Sequence, residues 1–269
     1  PNAYLCFLKP RTMSTALYES VIFGPVRSRR LGLSLGVNLL PLHDKLCSFD
    51  CIYCECGWGK PGAKPRFNSR ETVRRLLREK LTEMVAAGTP PDVITFAGNG
   101  EPTMHPEFGG VIDDTIAVRD ELCPSAKISV LSNATMIGRE TVREALLKAD
   151  NNILKLDSAF DETVRLVDRP KGAYSVRQTV EAMKLFDGRL IVQTMFLRGT
   201  LEGRQVDNTT EREVAAWLSL IEEIAPSSVM VYTIDRDTPA DDLHKVSVEE
   251  LRRIAERVER LGIPCSVAG

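Results

Sequence analysis

The 269-residue chain has no long hydrophobic run, although 43% of its residues are hydrophobic. No stretch reaches the roughly eighteen apolar residues that a membrane-spanning helix needs, so we expect no membrane partner. The chain also lacks a basic and then apolar leader, and it begins at Pro1 instead of a methionine. Our hypothesis is that residues 1–12 are non-native and that Met13 is the natural start, within an N-terminal extension of residues 1–20.

Charge of one sign is not in excess either. The 35 basic and 37 acidic residues leave a net charge of −2, whereas a dedicated nucleic-acid-binding protein usually carries a basic surplus. Aromatic residues make up only 6% of the chain and offer little surface on which bases could stack. The overall composition therefore gives no support to a dedicated nucleic-acid-binding module.

The seven cysteines are an odd number, and three of them fall within eight positions. A disulfide framework would instead spread its cysteines through a short secreted domain. We therefore expect a reducing, cytoplasmic compartment, in which thiolates stay available to bind a metal.

Short apolar runs rich in β-forming residues alternate with longer amphipathic runs. The predicted strands cover residues 33–40, 93–97, 127–132, 153–157, 189–195 and 228–234. The predicted helices cover residues 69–87, 107–121, 139–149, 174–186, 210–224 and 247–261. Six such units favour an α/β fold with a parallel sheet, namely a partial (β/α)6 TIM-like barrel that residues 21–269 form as a single domain. We expect residues 57–68 and 198–209 to form loops.

Cys47, Cys51 and Cys54 are separated by three and then two residues. This set is one thiolate short of the four that usually close an iron–sulfur cluster, and it does not complete a four-ligand zinc site. Three sulfurs on a cluster would leave one iron open to bind a small molecule. The alternative is a zinc site completed by His43 or Cys56, although the paired ligand spacings of common zinc sites are absent.

The CxxxCxxC spacing, with Tyr53 just before the last cysteine, resembles the signature of the radical S-adenosylmethionine (radical SAM) enzymes. The resemblance implies that Cys47, Cys51 and Cys54 hold a [4Fe–4S] cluster, whose remaining iron is chelated by the amine and carboxylate of S-adenosylmethionine. It also implies that reductive cleavage of this cofactor gives a 5′-deoxyadenosyl radical, which abstracts hydrogen from a substrate. The radical chemistry then belongs to the cofactor, while the protein binds, orients and excludes water.

A second motif, residues 98–102, follows the second predicted strand, and its sequence GNGEP resembles the GGEP-type motif of the family. Glycines after a strand let the backbone approach a ligand closely, and the Glu101 carboxylate suits the methionyl ammonium. The resemblance implies that the cofactor contacts residues of this motif and of the next strand end, namely Gly98, Asn99, Gly100, Glu101, Ser132 and Asn133.

Lys155 and Asp157 fall on the same face of the fourth predicted strand by alternation. Two charges on an otherwise apolar strand are costly unless they are paired or used, so they form either a buried ion pair or part of the cofactor site. On the fifth and sixth strands, Gln193 and Tyr232 are interpreted either as core residues, which is the favoured interpretation, or as cofactor contacts. In the second case Gln193 faces the barrel interior and Tyr232 flanks the adenine of the cofactor.

Residues 28–38, 155–157 and 234–236 are similar to a branch of the superfamily that is grouped with wyosine-synthesising tRNA enzymes. Those enzymes carry a second cluster on cysteines upstream of the core, whereas only Cys6 lies upstream here. The other cysteines are scattered, at Cys56, Cys123 and Cys265. We therefore expect no well-formed auxiliary cluster, and the wyosine reaction itself is not implied.

The stretch of residues 60–80 contains eight basic residues and two acidic ones. Such an excess beside the cysteines would attract a phosphate-bearing substrate such as RNA, while the alternative is the solvated face of one helix. RNA modification is therefore favoured over a peptide or small-molecule substrate.

These patterns together predict an enzyme that uses a [4Fe–4S] cluster and S-adenosylmethionine, with a reducing partner such as flavodoxin or ferredoxin. The alternative from another class is a non-enzymatic iron–sulfur electron carrier, which usually has four cysteines. The three histidines, His43, His105 and His244, have no partner at metal-ligand spacing, and the sequence identifies no catalytic side chain.

Overall fold

The computed structural model describes residues 17–28, 32–60, 62 and 66–269. The predictions for residues 1–12, Cys6 and Met13 concern residues outside the described ranges. Residues 29–31 of the stretch 28–38 and Lys64 of the basic stretch 60–80 also lie outside them.

The described residues contain seven α-helices and eleven strands. The helices are α1 (Arg70–Ala86), α2 (Phe108–Leu122), α3 (Glu140–Leu146), α4 (Asp161–Val167), α5 (Val176–Lys184), α6 (Glu211–Ile224) and α7 (Val248–Glu259). The strands are β1 (Ile22–Ser28), β2 (Gly32–Val37), β3 (Val93–Phe96), β4 (Lys127–Ser132), β5 (Asn151–Lys155), β6 (Ile191–Met195), β7 (Leu197–Leu201), β8 (Arg204–Asp207), β9 (Ser228–Tyr232), β10 (Asp242–Lys245) and β11 (Cys265–Ala268). None of these helices is long and apolar enough to cross a membrane.

Eight of the strands form one sheet in the order β1-β2-β3-β4-β5-β6-β9-β11. All neighbours from β2 onwards are parallel, and β1 pairs antiparallel with β2 at one edge. The six strands predicted from the sequence correspond to β2, β3, β4, β5, β6 and β9, and helices connect them. The α/β fold with a partial barrel core is therefore confirmed, and β1 and β11 extend the sheet at its two edges.

The local sequence explains these elements. All four residues of β3 are buried, as expected for a parallel strand covered by helices. Helix α1 begins after Ser69, whose side chain accepts a hydrogen bond from Thr72 N at 3.2 Å. This helix buries a stripe of apolar side chains in the main core, namely Val73, Leu77, Leu81 and Met84.

The prediction of a loop at residues 198–209 was wrong, because these residues form most of β7 and β8. Together with β10 they make a second, three-stranded antiparallel sheet in the order β10-β7-β8. Gly199, which suggested a loop, allows β10 to approach: a Cβ atom there would lie 2.0 Å from Asp242 O. Helix α4 was not predicted, and the helix predicted at residues 174–186 is shortened to α5.

A second hydrophobic cluster joins the small sheet to the cysteine-bearing segment. It contains Phe49 and Ile52 beside the cysteines, and Leu197 and Val206 from β7 and β8. The small sheet therefore packs against the segment that carries the three predicted metal ligands.

Candidate functional site

The cysteine loop, residues 43–59, lies directly against the motif of residues 98–102. Glu101 N donates a hydrogen bond to Leu46 O at 3.0 Å, and Leu46 forms a parallel bridge with Gly100. Gly100 has a φ of 142°, and a Cβ atom there would lie 1.7 Å from Leu46 O. Only glycine therefore allows the two motifs, which are distant in sequence, to come into contact.

The opposite side of the cysteine loop is held by residues 167–171, which begin at the end of α4. Asp50 N donates to Asp168 O at 3.0 Å, and Ile52 N donates to Val167 O at 2.9 Å. Backbone contacts from two separate parts of the barrel thus fix the course of the cysteine loop.

The three predicted metal ligands lie in different electrostatic environments. Burial raises the pKa of Cys47 to about 12. Burial also raises the pKa of Cys51 well above its usual range, and Asp168 adds to this rise. A hydrogen bond with Cys56 is the main cause that lowers the pKa of Cys54 to about 6. Cys54 is therefore the thiol of the three that most readily forms a thiolate.

The arrangement of ligand-type side chains does not match a zinc site. Within the described ranges, no three His, Cys, Asp or Glu side chains converge on a single metal position. His43, one of the two candidate fourth zinc ligands, is exposed at the surface. A zinc site needs all its ligands on one ion, whereas the thiolates of an iron–sulfur cluster bind different irons, so the three cysteines fit a cluster better.

Glu101 is buried beside the cysteine loop, at the point where the sequence places the methionyl ammonium. Its Oε1 atom accepts hydrogen bonds from Thr103 N at 3.1 Å and from Ser132 Oγ at 2.8 Å, and also from Thr103 Oγ1. Its Oε2 atom accepts from Asn133 N at 2.6 Å. Burial raises the pKa of Glu101, and these donors oppose the rise. A carboxylate has about four acceptor positions, two on each oxygen, so Oε2 keeps one for a ligand donor.

Asn133 connects this carboxylate to the cysteine loop. While its backbone N–H binds Glu101, its Nδ2 donates to Ser48 Oγ at 2.9 Å and to Cys47 Sγ at 3.5 Å. The structure therefore brings together Glu101, Asn133 and the first cysteine, as the order of the strand ends predicts.

The side chain of Asn99, in contrast, is engaged by the backbone of the same chain. Its Nδ2 donates to Tyr18 O at 2.9 Å and to Pro41 O at 2.7 Å, and its Oδ1 accepts from Tyr18 N at 2.8 Å. The amide thus ties the segment before β1 to the segment before the cysteine loop. The backbone of Asn99 is also engaged, because its N–H donates to Asn38 Oδ1 at 3.2 Å and its carbonyl accepts from Leu46 N at 2.8 Å. Only the second lone pair of that backbone carbonyl is left to contact a ligand.

Lys155 and Asp157 form a buried ion pair, with Nζ 3.0 Å from Oδ2, and the hydroxyl of Tyr53 is hydrogen-bonded to both side chains. Asp168 joins this network: its Oδ1 lies 3.8 Å from Lys155 Nζ and accepts a hydrogen bond from Cys51 Sγ at 3.4 Å. Burial alone would lower the pKa of Lys155, but Asp157 and its other neighbours raise it well above its usual range. The lysine is therefore held as an ammonium.

Sequence reasoning missed Asp168. Burial, with Asp157 adding to it, raises the pKa of Asp168 well above its usual range. The residue follows α4 in a loop, so it shares no strand or helix periodicity with the residues that it contacts. Pro170 two positions later marks a helix end but carries no hint that the preceding carboxyl is buried.

A cleft of about 50 Å³ opens beside Tyr53 at the ends of β6 and β9. Its lining includes Tyr53, Glu55, Met195, Tyr232, Ile234 and Arg236. Gln193 is half-buried and pairs in register with Lys155 on the neighbouring strand, so their side chains share one face of the sheet. A larger cavity of about 240 Å³ between α7 and β11 contains none of the predicted site residues.

Two of the three histidines, His105 and His244, have local structural contacts. His105 Nε2 lies 2.9 Å from Asn68 O, and its Nδ1 accepts a hydrogen bond from Glu107 N at 3.1 Å, just before α2. His244 is exposed and lies 3.2 Å from Asp242.

Most of the basic side chains between residues 60 and 80 are ion-paired with acidic residues of the same chain. The pairs are Lys60–Asp44 at 3.1 Å, Arg70–Asp114 at 2.7 Å, Arg75–Glu79 at 2.9 Å, Arg78–Glu121 at 2.5 Å and Lys80–Glu83 at 2.8 Å. These pairs neutralise much of the local positive charge, as expected for the solvated face of a helix.

Curated relatives align with most of this chain. It is 31% identical over 224 residues to a UPF0026 protein of Synechocystis sp., a match that covers 81% of this chain and 77% of that protein. It is 27% identical over 242 residues to a protein of Brachyspira hyodysenteriae named GTPase Obg, which covers 88% of this chain. The chain spans only 33% of the length of this second relative.

Solved structures share the fold at low sequence identity. A radical SAM methyltransferase from Sphaerobacter thermophilus has a TM-score of 0.65 at 16% identity, covering 87% of this chain and 65% of that one. A structure of the wyosine synthase TYW1 with a lysine–pyruvate adduct bound has a TM-score of 0.58 at 14% identity, covering 84% and 73%. The sequence profile described as "Radical SAM superfamily" matches residues 43–204, which include the three cysteines and the motif of residues 98–102. With more than half of its length matched, this chain belongs to the radical SAM superfamily.

Proposed function

We propose that this enzyme holds a [4Fe–4S] cluster on Cys47, Cys51 and Cys54, binds S-adenosylmethionine beside it, and abstracts hydrogen from a substrate. The observation that supports this most is that the cysteine loop contacts residues 98–102 and that Asn133 donates hydrogen bonds to both Glu101 and Cys47. When bound, the cluster and cofactor supply an electron and an organic radical, as is general in this superfamily.

The chain's own residues bind and orient the cofactor. The remaining lone pair of Glu101 Oε2 accepts an N–H of the methionyl ammonium, and the donors around Glu101 hold its carboxylate in place. Gly98 and Gly100, with φ of 135° and 142°, let the backbone pass close to Asn38 and Leu46, which holds residues 98–102 against the cysteine loop. The proposed cofactor contacts are Tyr53, Gly98, Asn99 through its backbone, Gly100, Glu101, Ser132, Asn133, Lys155, Asp157, Gln193 and Tyr232.

Lys155 and Asp157 act in this proposal mainly through Tyr53. The ammonium of Lys155 lies 4.7 Å from the centre of the Tyr53 ring, and both side chains hydrogen-bond its hydroxyl. This fixes the ring as one wall of the cleft that Tyr232 also lines. Lys155 and Asp157 therefore form a buried ion pair and also hold the side chain of Tyr53 in position.

We further propose that residues 21–269 form one domain, because a single sheet includes strands from Ile22 to Ala268. The six cysteines of the described residues are free thiols, which supports a reducing compartment such as the cytoplasm. A flavodoxin or ferredoxin would supply the electron there.

The substrate class is tested by RNA binding. Five basic side chains of residues 60–80 are ion-paired, so this stretch supports an RNA substrate only through its other basic side chains. If RNA is the substrate, tRNA binding should weaken as salt rises, and the double variant R66A/R74A, at two basic positions outside these five pairs, should bind at least about tenfold more weakly. Binding that is weak and unchanged in the variant would instead favour a peptide or a metabolite.

The alternative of a simple electron carrier is separated from the enzyme by the response to S-adenosylmethionine. Anaerobically reconstituted protein should hold about four irons per chain. Addition of S-adenosylmethionine should change the electron paramagnetic resonance spectrum of the reduced cluster, because the cofactor becomes a ligand of the open iron. A loaded cluster whose spectrum ignores the cofactor would support the carrier and contradict the proposal.

A further inference from the structure

Lys45 is a buried lysine within the cysteine loop. Its side chain is only 2% exposed, and its Nζ donates hydrogen bonds to Gly57 O at 2.8 Å and to Asp50 Oδ1 at 3.0 Å. Asp50 precedes Cys51 and Gly57 follows Cys54, so one ammonium group links the two ends of the segment that carries these cysteines. No sequence pattern points to this lysine, which precedes Cys47 by two positions.

A charged group is a costly means of closing a loop. Burying an ammonium is unfavourable unless it is paired. A neutral side chain of similar size could pack at this position at a lower cost in free energy. The carboxylate of Asp50 does not bind Lys45 alone, because its Oδ1 also accepts a hydrogen bond from Gly59 N at 2.8 Å. The position of the ammonium therefore suggests a further task for its charge.

The charges around the three cysteines are arranged unequally. On one side, Lys155 faces two carboxyl groups, since it lies 3.0 Å from Asp157 and 3.8 Å from Asp168. On the other side, Lys45 has one carboxylate within ion-pair distance among the described residues, Asp50. The ammonium of Lys45 is thus a buried positive charge within the cysteine loop, and its carboxylate partner is the more exposed of the two side chains.

We propose that Lys45 is a positioning residue that makes the cluster easier to reduce. Three thiolates leave the oxidised cluster with a net negative charge, and one-electron reduction adds another, with the electron coming from an external reductant and no bond formed or broken. A fixed positive charge in a buried site stabilises the more negative state more than the less negative one. This inference rests on the proposed cluster at Cys47, Cys51 and Cys54.

The test is the midpoint potential of the reconstituted cluster, measured by redox titration with dithionite and electron paramagnetic resonance. Lys45→Met removes the charge at similar length and should shift the potential to more negative values. Asp50→Asn removes the opposing carboxylate but keeps a hydrogen-bond acceptor, so it should shift the potential to more positive values. Lys45→Arg should lie closer to the wild type than Lys45→Met.

The matched control is Lys60→Met, which removes a lysine that is 71% exposed and paired with Asp44. Solvent screens that charge, so the potential should equal that of the wild type. Shifts of Lys45→Met and Asp50→Asn in the same direction, or no shift in either, would overturn the proposal. Loss of iron in both variants would assign the pair a purely structural role and also overturn it, and if only one loads iron, the sign of its shift decides. If the wild type itself binds no cluster, the proposed function fails instead.

Discussion

Glu101 is the single residue whose contacts bear most directly on cofactor binding. In Glu101→Gln, an amide NH₂ replaces one carboxylate oxygen. This NH₂ faces the hydrogen-bond donors of Thr103, Ser132 or Asn133, which bind the carboxylate in the wild type. A buried donor left without an acceptor costs about 1–3 kcal/mol, so the free energy of unfolding should fall by that amount. The lost charge should also weaken S-adenosylmethionine binding by at least about tenfold, as measured by equilibrium dialysis on reconstituted protein.

Glu107→Gln is the matched control, because Glu107 is exposed just before α2 and makes no contact with this pocket through its side chain. It should leave both the stability and the cofactor affinity unchanged. Wild-type affinity in Glu101→Gln would show that the carboxylate does not bind the cofactor.

Asn99 should behave differently from its neighbour in the motif. Asn99→Ala removes the amide that binds the backbone of Tyr18 and Pro41, and it leaves buried groups without partners. We expect a loss of about 1–3 kcal/mol in urea unfolding. The affinity for S-adenosylmethionine should stay near that of the wild type, because only the backbone of Asn99 is available to the cofactor. A variant as stable as the wild type would contradict this reading.

The site residues that the sequence predicts are those at strand ends. Glu101 follows β3, and Ser132 and Asn133 lie at the end of β4, and parallel strands bring such positions to one edge of the sheet. Lys45 and Asp168 could not be found in this way, because they lie on loops whose side-chain directions depend on packing with distant segments.

Among the elements, the regular parallel strands were the most predictable. The bounds of β4 agree with the prediction, because apolar runs between amphipathic helices carry the signal of a buried parallel strand. The short strands β7 and β8 were missed because Gly199 and Gly203 look like loop residues. These two strands pair with each other, and β7 also pairs with β10, which lies more than thirty residues later in the chain.

The contact between α5 and α6 predicts a pH dependence of stability. Arg177 and Lys184 of α5 lower the pKa of Glu223 on α6 from 4.5 to about 2. A pKa that is lower in the folded state means that this contact stabilises the protein above about pH 4.5 and is lost as the pH falls towards 2. Glu223→Gln should therefore be slightly less stable than the wild type at neutral pH, and the difference should disappear near pH 2, in urea unfolding at several pH values.

The control for this contact is Glu222→Gln, at the exposed neighbouring position of the same helix. It should not reproduce the pH-dependent difference. A difference for Glu223→Gln that persists or grows as the pH falls would contradict the assignment of the pKa shift to the two basic side chains.

At the scale of the whole molecule, the barrel core was predictable and its additions were not. Alternation of strands and helices along the chain indicates a parallel sheet, and the six predicted units occur in the expected order. The edge strand β11 and the strands of the small sheet were missed because each has only four or five residues. The edge strand β1 was missed because it pairs antiparallel with β2 and so lies outside the alternation of parallel strands and helices. The small sheet nevertheless packs on the cysteine loop, so it belongs to the surroundings of the site.

In the proposed function, three cysteines hold a cluster at which S-adenosylmethionine is reductively cleaved. The most direct measurement is 5′-deoxyadenosine released by reconstituted protein under anaerobic conditions with dithionite and S-adenosylmethionine. The wild type should release it, and Cys51→Ala should release none, because Cys51 is a proposed cluster ligand. Absence of 5′-deoxyadenosine from cluster-loaded wild type, or its undiminished release by Cys51→Ala, would contradict the account.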